Sequence, residues 1–282
     1  MRSIKLIKHK FETSLTPIFS INEIQFIWNQ WVIKEVLNMS LVDYFSNNHV
    51  KASQKQCEII NLLVLHLLKN QPIQYFFGYM YFKNLKLSVD PNVLIPRPET
   101  EQLVDIILND LDRKKTDSII DIGTGSGCIA VSLKKNIPSS VLGVDVCENA
   151  LTIAKSNAKS NNVYVDFQVL DILNPESYRS LHKFDVIVSN PPYVLNSEVS
   201  SSSNIHFEPS SAIFVSDKNP LLFYESICVF AKTKLKKNGK IFFEINPNFV
   251  AELYNMLSKY SVNNIKICED FYAKKRFIVV YF

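Results

Sequence analysis

The sequence predicts an α/β fold: a mostly parallel seven-stranded sheet covered by helices, preceded by a small helical domain. Three observations carry this reading. From Ser118 onward, short apolar runs alternate with amphipathic stretches, the pattern of strands linked by crossover helices. From about Ile21 to Asn70, apolar residues instead recur at helical spacing with no alternating run. Three of only six glycines, Gly123, Gly125 and Gly127, fall within five residues, after one apolar run and before a helical stretch. Average usage of ~7% would give about twenty glycines, so a chain that avoids the residue elsewhere concentrates it here. With 282 residues, 47% of them hydrophobic and 21% charged, there is apolar matter for one large core and a smaller companion.

Taken in order, the helical segment carries Ile24, Ile27, Trp28 and Trp31, then Ile59, Leu62, Leu63 and His66. The tryptophans, one turn apart, are expected in the core, and His66 as a hydrogen-bonded core histidine. Gln71-Pro72-Ile73-Gln74-Tyr75 closes the domain, giving residues 1–74. Aromatic Tyr79–Phe82 and alternating Leu85, Leu87 and Val89 predict a hairpin-like connector over 75–95, with a turn at Asp90-Pro91-Asn92. The α/β domain then spans 96–282. Pro98 opens its first helix, Glu99–Leu111, because proline fits the first helical turn and acids there suit the dipole. Strands are predicted at Ile119–Ile122, Val141–Val144, Val163–Val169, Val186–Val188, Ile241–Ile245, Ile265–Cys268 and Phe277–Tyr281, with helices such as Ala150–Asn161 and Pro220–Lys236 between them. Glu269–Lys275 is too short for a helix, so the last two strands are expected as an antiparallel pair at or near an edge. Seven strands ending in such a pair match the arrangement of S-adenosylmethionine-dependent methyltransferases.

Composition narrows the classes. The longest strongly apolar stretch, Leu62–Leu68, is broken by His66 and falls short of the ~20 residues a membrane helix needs. The basic segment Met1–Ser20 lacks an apolar stretch before a cleavage site, so no secretory signal is read. Cys57, Cys128, Cys147, Cys228 and Cys268 are scattered without a paired motif, which predicts free thiols in a reducing cytoplasm and no metal site. Net charge is +4, yet only five of the 31 basic residues are arginines: Arg2, Arg97, Arg113, Arg179 and Arg276.

Asp121-Ile-Gly-Thr-Gly-Ser-Gly127 follows a predicted strand and opens a helix. Its glycines let the backbone turn sharply and approach a ligand, and the helix N-terminus supplies N–H groups to an anion. Cys128 breaks the dinucleotide fingerprint and no Gly-Lys-Ser/Thr follows, leaving the Gly-x-Gly-x-Gly form found in methyltransferases. Asp145 ends the next strand, twenty residues beyond Gly125, where a carboxylate can accept both ribose hydroxyls of a nucleoside. Asp171 and Ile172 fall where adenine would rest, Asp171 with the weaker signal. Asn190-Pro-Pro-Tyr193 ends the fourth strand and is the sharpest feature. An amide or exocyclic amino nitrogen is a poor nucleophile because its lone pair is delocalised. The Asn190 side-chain oxygen and the Pro191 carbonyl can each accept one N–H and aim that lone pair at a methyl group. Pro191 and Pro192 stiffen the loop, and Tyr193 can stack on the flat acceptor.

At these residues the chain resembles the bacterial protein-(glutamine-N5) methyltransferases that modify peptide chain release factors. The likeness spans nearly the whole chain: Gln71–Tyr75 with Gly78, Leu94-Ile-Pro-Arg-Pro-Glu-Thr-Glu101, Asp121–Gly127, Asp145, Asn190–Tyr193 and Phe207-Glu-Pro209. Segment 94–101 is its most specific piece. The resemblance implies S-adenosyl-L-methionine as cofactor, held by Gly123, Thr124, Gly125, Ser126, Gly127, Asp145, Ile172 and Asn190. It further implies that Asn190, Pro191, Pro192 and Tyr193 grip the glutamine of a release factor's Gly-Gly-Gln loop, in translation termination and in the cytoplasm, while the helical domain holds the release factor. Asn70 stands where a glycine is usual, Ile172 where an aromatic is frequent, and the C-terminal tail lacks the usual Gly-Arg.

Two other functions would share some of these features. An adenine-N6 methyltransferase would also use Asn-Pro-Pro-Tyr, but must flip its base and grip a duplex. Nothing after Asn190 is large enough for a recognition domain, arginines are few, and Lys232–Lys240 reads as a solvated helix face and turn, so no direct nucleic-acid substrate is expected. An inactive docking module would have no need for the intact tetrapeptide. No membrane partner is expected either.

Overall fold

The computed structural model describes residues 2–47, 50–112, 115–200 and 203–282; Arg113 and two serines of the polar loop 197–204, Ser201 and Ser202, lie outside them. The chain divides into two compact units, Met1–Phe77 and Gly78–Phe282.

The first unit orders β1 (Arg2–Ser3), α1 (Ile4–Leu15), α2 (Ile21–Ile27), a π-wound continuation (Trp28–Val36), α3 (Leu41–Ser46), β2 (Lys51–Ala52), α4 (Gln54–Leu68) and α5 (Ile73–Phe77). Serines start three of the helices. Ser20 and Ser53 form capping boxes with Glu23 and Gln56, and Ser40 accepts from the Asp43 N–H. The core gathers Phe11, Leu15, Trp28, Val32, Ile33 and Leu63, with Trp28 edge-on to Phe11 and its Nε1 donating to the Tyr44 hydroxyl at 3.2 Å.

Three details differ from expectation. Helix α1 lies ahead of the predicted start at Ile21, its core residues Ile4, Phe11 and Leu15 hidden among lysines. The buried stripe of α4 is Cys57, Ile60, Leu63 and Leu67, leaving Leu62 57% exposed. This helix is apolar around most of its circumference, so spacing alone could not set its phase. Trp31 is only half-buried and stacks on Phe77 at 4.7 Å. His66 is half-buried and hydrogen-bonded, its Nε2 lying 2.9 Å from the Pro72 carbonyl.

The second unit begins with a hairpin, β3 (Tyr79–Phe82) and β4 (Leu85–Ser88), closed by Lys83 and Asn84, both at positive φ as a type I′ turn requires. Its Phe82, Leu85 and Leu87 enter the larger core, so the segment expected as a separate connector builds part of this unit. Next come α6 (Pro98–Asp110), β5 (Ser118–Ile122), α7 (Cys128–Asn136), β6 (Ser140–Asp145), α8 (Glu148–Ser160), β7 (Asp166–Val169) and β8 (Phe184–Ser189). The short β9 (Val194–Leu195) and β10 (Phe214–Val215) pair with each other; then follow α9 (Leu222–Lys234), β11 (Leu235–Glu244), α10 (Val250–Leu257), β12 (Asn264–Glu269) and β13 (Lys275–Tyr281).

The main sheet has the order β12-β13-β11-β8-β5-β6-β7, parallel except where antiparallel β13 inserts between β12 and β11. The terminal pair therefore closes one edge, as expected. Alternate residues of each strand feed opposite faces: Ile119 packs with Leu103, Val104 and Val131, while Ile120 and Ile122 pack with Ile227, Phe230 and Phe243. Strand β7 starts three residues later than predicted, because Asn162 at positive φ and the Val163 N–H bonded to Ala158 first close α8.

Candidate active site

The chemistry-bearing residues sit where the parallel strands end. Strand β5 runs into the glycine loop, β6 ends at Asp145, β8 is followed by Asn190 and β11 ends at Glu244. In open α/β sheets, ligands bind outside these carboxyl ends.

Gly123, Gly125 and Gly127 all have positive φ, at 74°, 53° and 79°. A Cβ at Gly123 or Gly125 would meet nothing within 4 Å, so these two are required for their backbone conformation and leave open space before the loop. Gly127 is different: it caps α7, and its Cβ would lie 3.1 Å from that of Ala154. Four groups hold the loop. The Gly123 and Thr124 N–H groups donate to the Val144 carbonyl, each at 2.9 Å, the Gly125 N–H donates to Asp145 Oδ2 at 2.8 Å, and Thr124 Oγ1 donates to Asp121 Oδ2 at 2.6 Å. Asn157, fully buried on α8, donates to the Ser126 carbonyl and bonds both the N–H and the carbonyl of Ser88.

Asp145 also accepts from the Cys147 N–H at 3.0 Å through Oδ1. Burial pushes its carboxyl up from the ordinary value, against the opposing pull of those N–H groups. Asp121 is fully buried, and desolvation pushes it up to about 7 despite the bonds from Thr124 and Ala130. Its Oδ1 is without a partner.

Gly123, Gly125 and Asp145 line one side of a cavity with about 830 Å³ of space open to solvent, completed by Leu170, Asp171, Ile172, Asn190, Pro191 and Pro192; fully buried Asp121 does not reach it. Thr124, Ser126 and Gly127 shape the loop from behind; Thr124 and Ser126 are buried, 4% and 2% exposed. A second, smaller cavity is lined by Leu94, Arg97, Asn190, Pro191, Tyr193, Val194, Ile205, Ala212 and Ile213. Asn190 and Pro191 border both.

Sequence reasoning did not find what braces the tetrapeptide. Asn190 Nδ2 donates to Thr100 Oγ1 at 3.2 Å, and the Thr100 hydroxyl donates to Glu244 Oε2 at 2.8 Å. At the other end, the Tyr193 hydroxyl donates to Glu244 Oε1 at 3.0 Å and its carbonyl accepts from Asn246 Nδ2 at 3.1 Å. Glu244 is 1% exposed, and burial pushes its carboxyl up to about 7, with Thr100, Tyr193 and Arg276 pulling the other way. The available signal was an acid closing an apolar run, Ile241-Phe-Phe-Glu244, at the end of a parallel strand. A further brace joins segments 94–101 and 207–209: Arg97 pairs with buried Glu208, whose other oxygen accepts from the Ile95 N–H at 2.9 Å. The polar loop is pinned at its start, where Glu198 accepts from Asn246 and Asn248.

The methyltransferase small domain family matches residues 98–208. A release factor glutamine methyltransferase of Flavobacterium psychrophilum is 38% identical, over 99% of this chain and 99% of that protein. One from Bacteroides thetaiotaomicron is 34% identical over 94% and 95%, and one from Lactococcus lactis 34% over 92% and 93%. Among solved structures, the hMettl16 catalytic domain in complex with an RNA hairpin superposes with a TM-score of 0.53 at 17% identity, covering 82% of each chain. The Thermus thermophilus 16S rRNA N2 G1207 methyltransferase, in complex with AdoMet and guanosine, gives 0.51 at 18%, covering 72% of this chain and 49% of that one. At such identities the structural likeness speaks for the fold alone.

Proposed function

The chain belongs to the release factor glutamine methyltransferases, and from that premise we propose how its two cavities divide the reaction. The enzyme transfers a methyl group from S-adenosyl-L-methionine to the side-chain amide nitrogen of a release-factor glutamine. The larger cavity takes the cofactor, with the glycine loop at its amino-acid end, Asp145 on its ribose and Ile172 against its adenine. When bound, the cofactor supplies a methyl group made electrophilic by a sulfonium sulfur. The smaller cavity takes the glutamine side chain. Asn190 Oδ1 and the Pro191 carbonyl each accept one of its N–H groups, Pro192 stiffens the loop, and Tyr193 offers its ring to the flat amide. No base is needed beforehand, since the proton leaves after the nitrogen becomes cationic. The observation that carries the reading is that Asn190 and Pro191 border both cavities.

The acceptor is the glutamine of the Gly-Gly-Gln loop, and the enzyme acts in translation termination, in the cytoplasm. The helical unit, 1–74 by sequence and Met1–Phe77 by packing, serves to hold the release factor. A nucleic-acid substrate is disfavoured by how the lysines of 232–240 are used. Of the five, Lys234 donates to the Arg179 and Leu181 carbonyls, Lys236 pairs with Asp185 and Lys240 with Asp110, so three are tied to the protein rather than presented to a polyanion. Among the described residues no helix is long and apolar enough to cross a membrane. The test is incubation with labelled cofactor and intact release factor, a short Gly-Gly-Gln peptide, or DNA. Strong labelling of release factor, weak labelling of peptide and none of DNA are expected. Transfer to adenine in DNA with none to release factor would overturn the assignment.

A further inference from the structure

The tetrapeptide reading needs Asn190 to present its oxygen, not its NH2, to the acceptor amide. A carboxamide has two ends of nearly equal shape, so something must choose between them. The structure contains a chooser. Thr100 has one hydroxyl proton, and it is directed to Glu244 Oε2 at 2.8 Å. Its oxygen then offers only lone pairs, and Asn190 answers with Nδ2 at 3.2 Å. Were the Thr100 proton turned to Asn190 instead, the amide would flip and set a donor against the donor N–H of the substrate. The same carboxylate takes the Tyr193 hydroxyl through Oε1 at 3.0 Å, so both ends of the tetrapeptide hang from one side chain.

We propose that Glu244 is a positioning residue for methyl transfer, acting through Thr100 to fix the orientation of the Asn190 amide and through the Tyr193 hydroxyl to fix the far end of the loop. It touches neither acceptor nor cofactor, and the role rests on the reading of Asn190 given above. The ionised form is the one that works, because a protonated Glu244 carries a proton of its own and releases the Thr100 hydroxyl to turn. The groups facing Glu244 act in opposite senses. Arg276 on β13 favours its charge and Glu99 on α6 opposes it; around it lie the Tyr193 hydroxyl, Cys128 on α7 and, on α9, Tyr224, whose hydroxyl donates to the Glu244 carbonyl at 3.0 Å. With burial placing the group near neutrality, the orienting bond is lost as pH falls below about 7.

The experiment measures kcat, KM for full-length release factor and cofactor affinity across pH for wild type, Glu244→Gln, Thr100→Val, Thr100→Ser, the Thr100→Val/Glu244→Gln pair and Asn190→Ala, with thermal melts of each. Glu244→Gln and Thr100→Val should each lower kcat about tenfold or more, leaving KM and cofactor affinity within about twofold, since a misplaced acceptor costs rate rather than binding. Thr100→Ser should recover most of the Thr100→Val loss. The double variant should be no slower than the worse single one, and the acidic limb of the wild-type kcat profile should be missing in Glu244→Gln. Folded Glu244→Gln and Thr100→Val with wild-type kcat beside an inactive Asn190→Ala would overturn the relay alone. A wild-type rate in Asn190→Ala would overturn the reading of Asn190, and the relay with it. Should Glu244→Gln not fold, equal rates for Thr100→Val and Thr100→Ser overturn the proposal.

Discussion

A carboxylate has about four lone-pair directions, and Asp145 uses some of them internally, chiefly on the N–H groups of Gly125 and Cys147. On the proposed reading the remaining lone pairs accept the ribose hydroxyls, so one residue would both shape the glycine loop and hold the ligand. Asp145→Ala should weaken S-adenosylmethionine binding by about 1–3 kcal/mol, the range for removing a charged hydrogen-bond partner, and calorimetry will show it. Unchanged affinity would remove Asp145 from the site. Asn190→Ala should abolish most turnover while the melting temperature stays near wild type, because Asn190 makes one side-chain bond among the described residues and its proposed work is orientation. The places of Asp145 at the end of β6 and of Asn190 just after β8 were legible in the sequence, because strand and crossover spacing put them there. Thr100 and Glu244 were not. Thr100 lies inside a helix start, whose Pro-Glu-Thr-Glu accounts for itself as capping, and its partner is 144 residues away.

Asn157 shows how elements, rather than residues, hold the glycine loop. One fully buried side chain on α8 makes three hydrogen bonds, two to Ser88 on β4 and one to Ser126 in the loop. Its removal leaves the N–H of Ser88 and the carbonyls of Ser88 and Ser126 without these partners. Asn157→Leu, close in volume, should therefore destabilise the second unit by several kcal/mol, at about 1–3 kcal/mol per orphaned group, and raise the Kd for cofactor. Denaturant unfolding with a cofactor titration measures both, and a loss below about 1 kcal/mol would show that β4 and the loop stand without this tie. Gly127 makes the matching case at the helix start. Gly127→Ala meets both an unfavourable φ of 79° and the Ala154 methyl at 3.1 Å, and should cost about 1–2 kcal/mol or more. At this scale the mostly parallel sheet and its antiparallel terminal pair followed from alternation and connection length. The hairpin's allegiance did not, because Phe82, Leu85 and Leu87 read as a two-residue alternation whichever core they enter. Nor did the phase of α4, where apolar residues on several faces leave periodicity without a direction.

Among the carboxyl groups buried in the described residues, two carry shifts that the charge balance does not reveal. Asp121 and Glu244 are both pushed up to about 7 by desolvation, from ordinary values of 3.8 and 4.5. Both folded-state values lie above those of the unfolded chain, so between about pH 4.5 and 7 the folded protein binds more protons than the unfolded one. The sign follows: from these two groups stability is greatest at the acidic end of that window and is lost as pH rises through about 7, because the charged forms must be held in a desolvated site. Catalysis runs the other way, since the charged form of Glu244 orients the acceptor site. The fold and the reaction thus place opposite demands on one side chain. Melting temperatures of wild type, Asp121→Asn and Glu244→Gln should be compared between about pH 6 and 8, alongside kcat. The wild-type value should fall relative to both variants as pH rises, while wild-type kcat climbs over the same interval. Parallel melting curves for all three proteins would mean that neither carboxyl changes its charge over that interval.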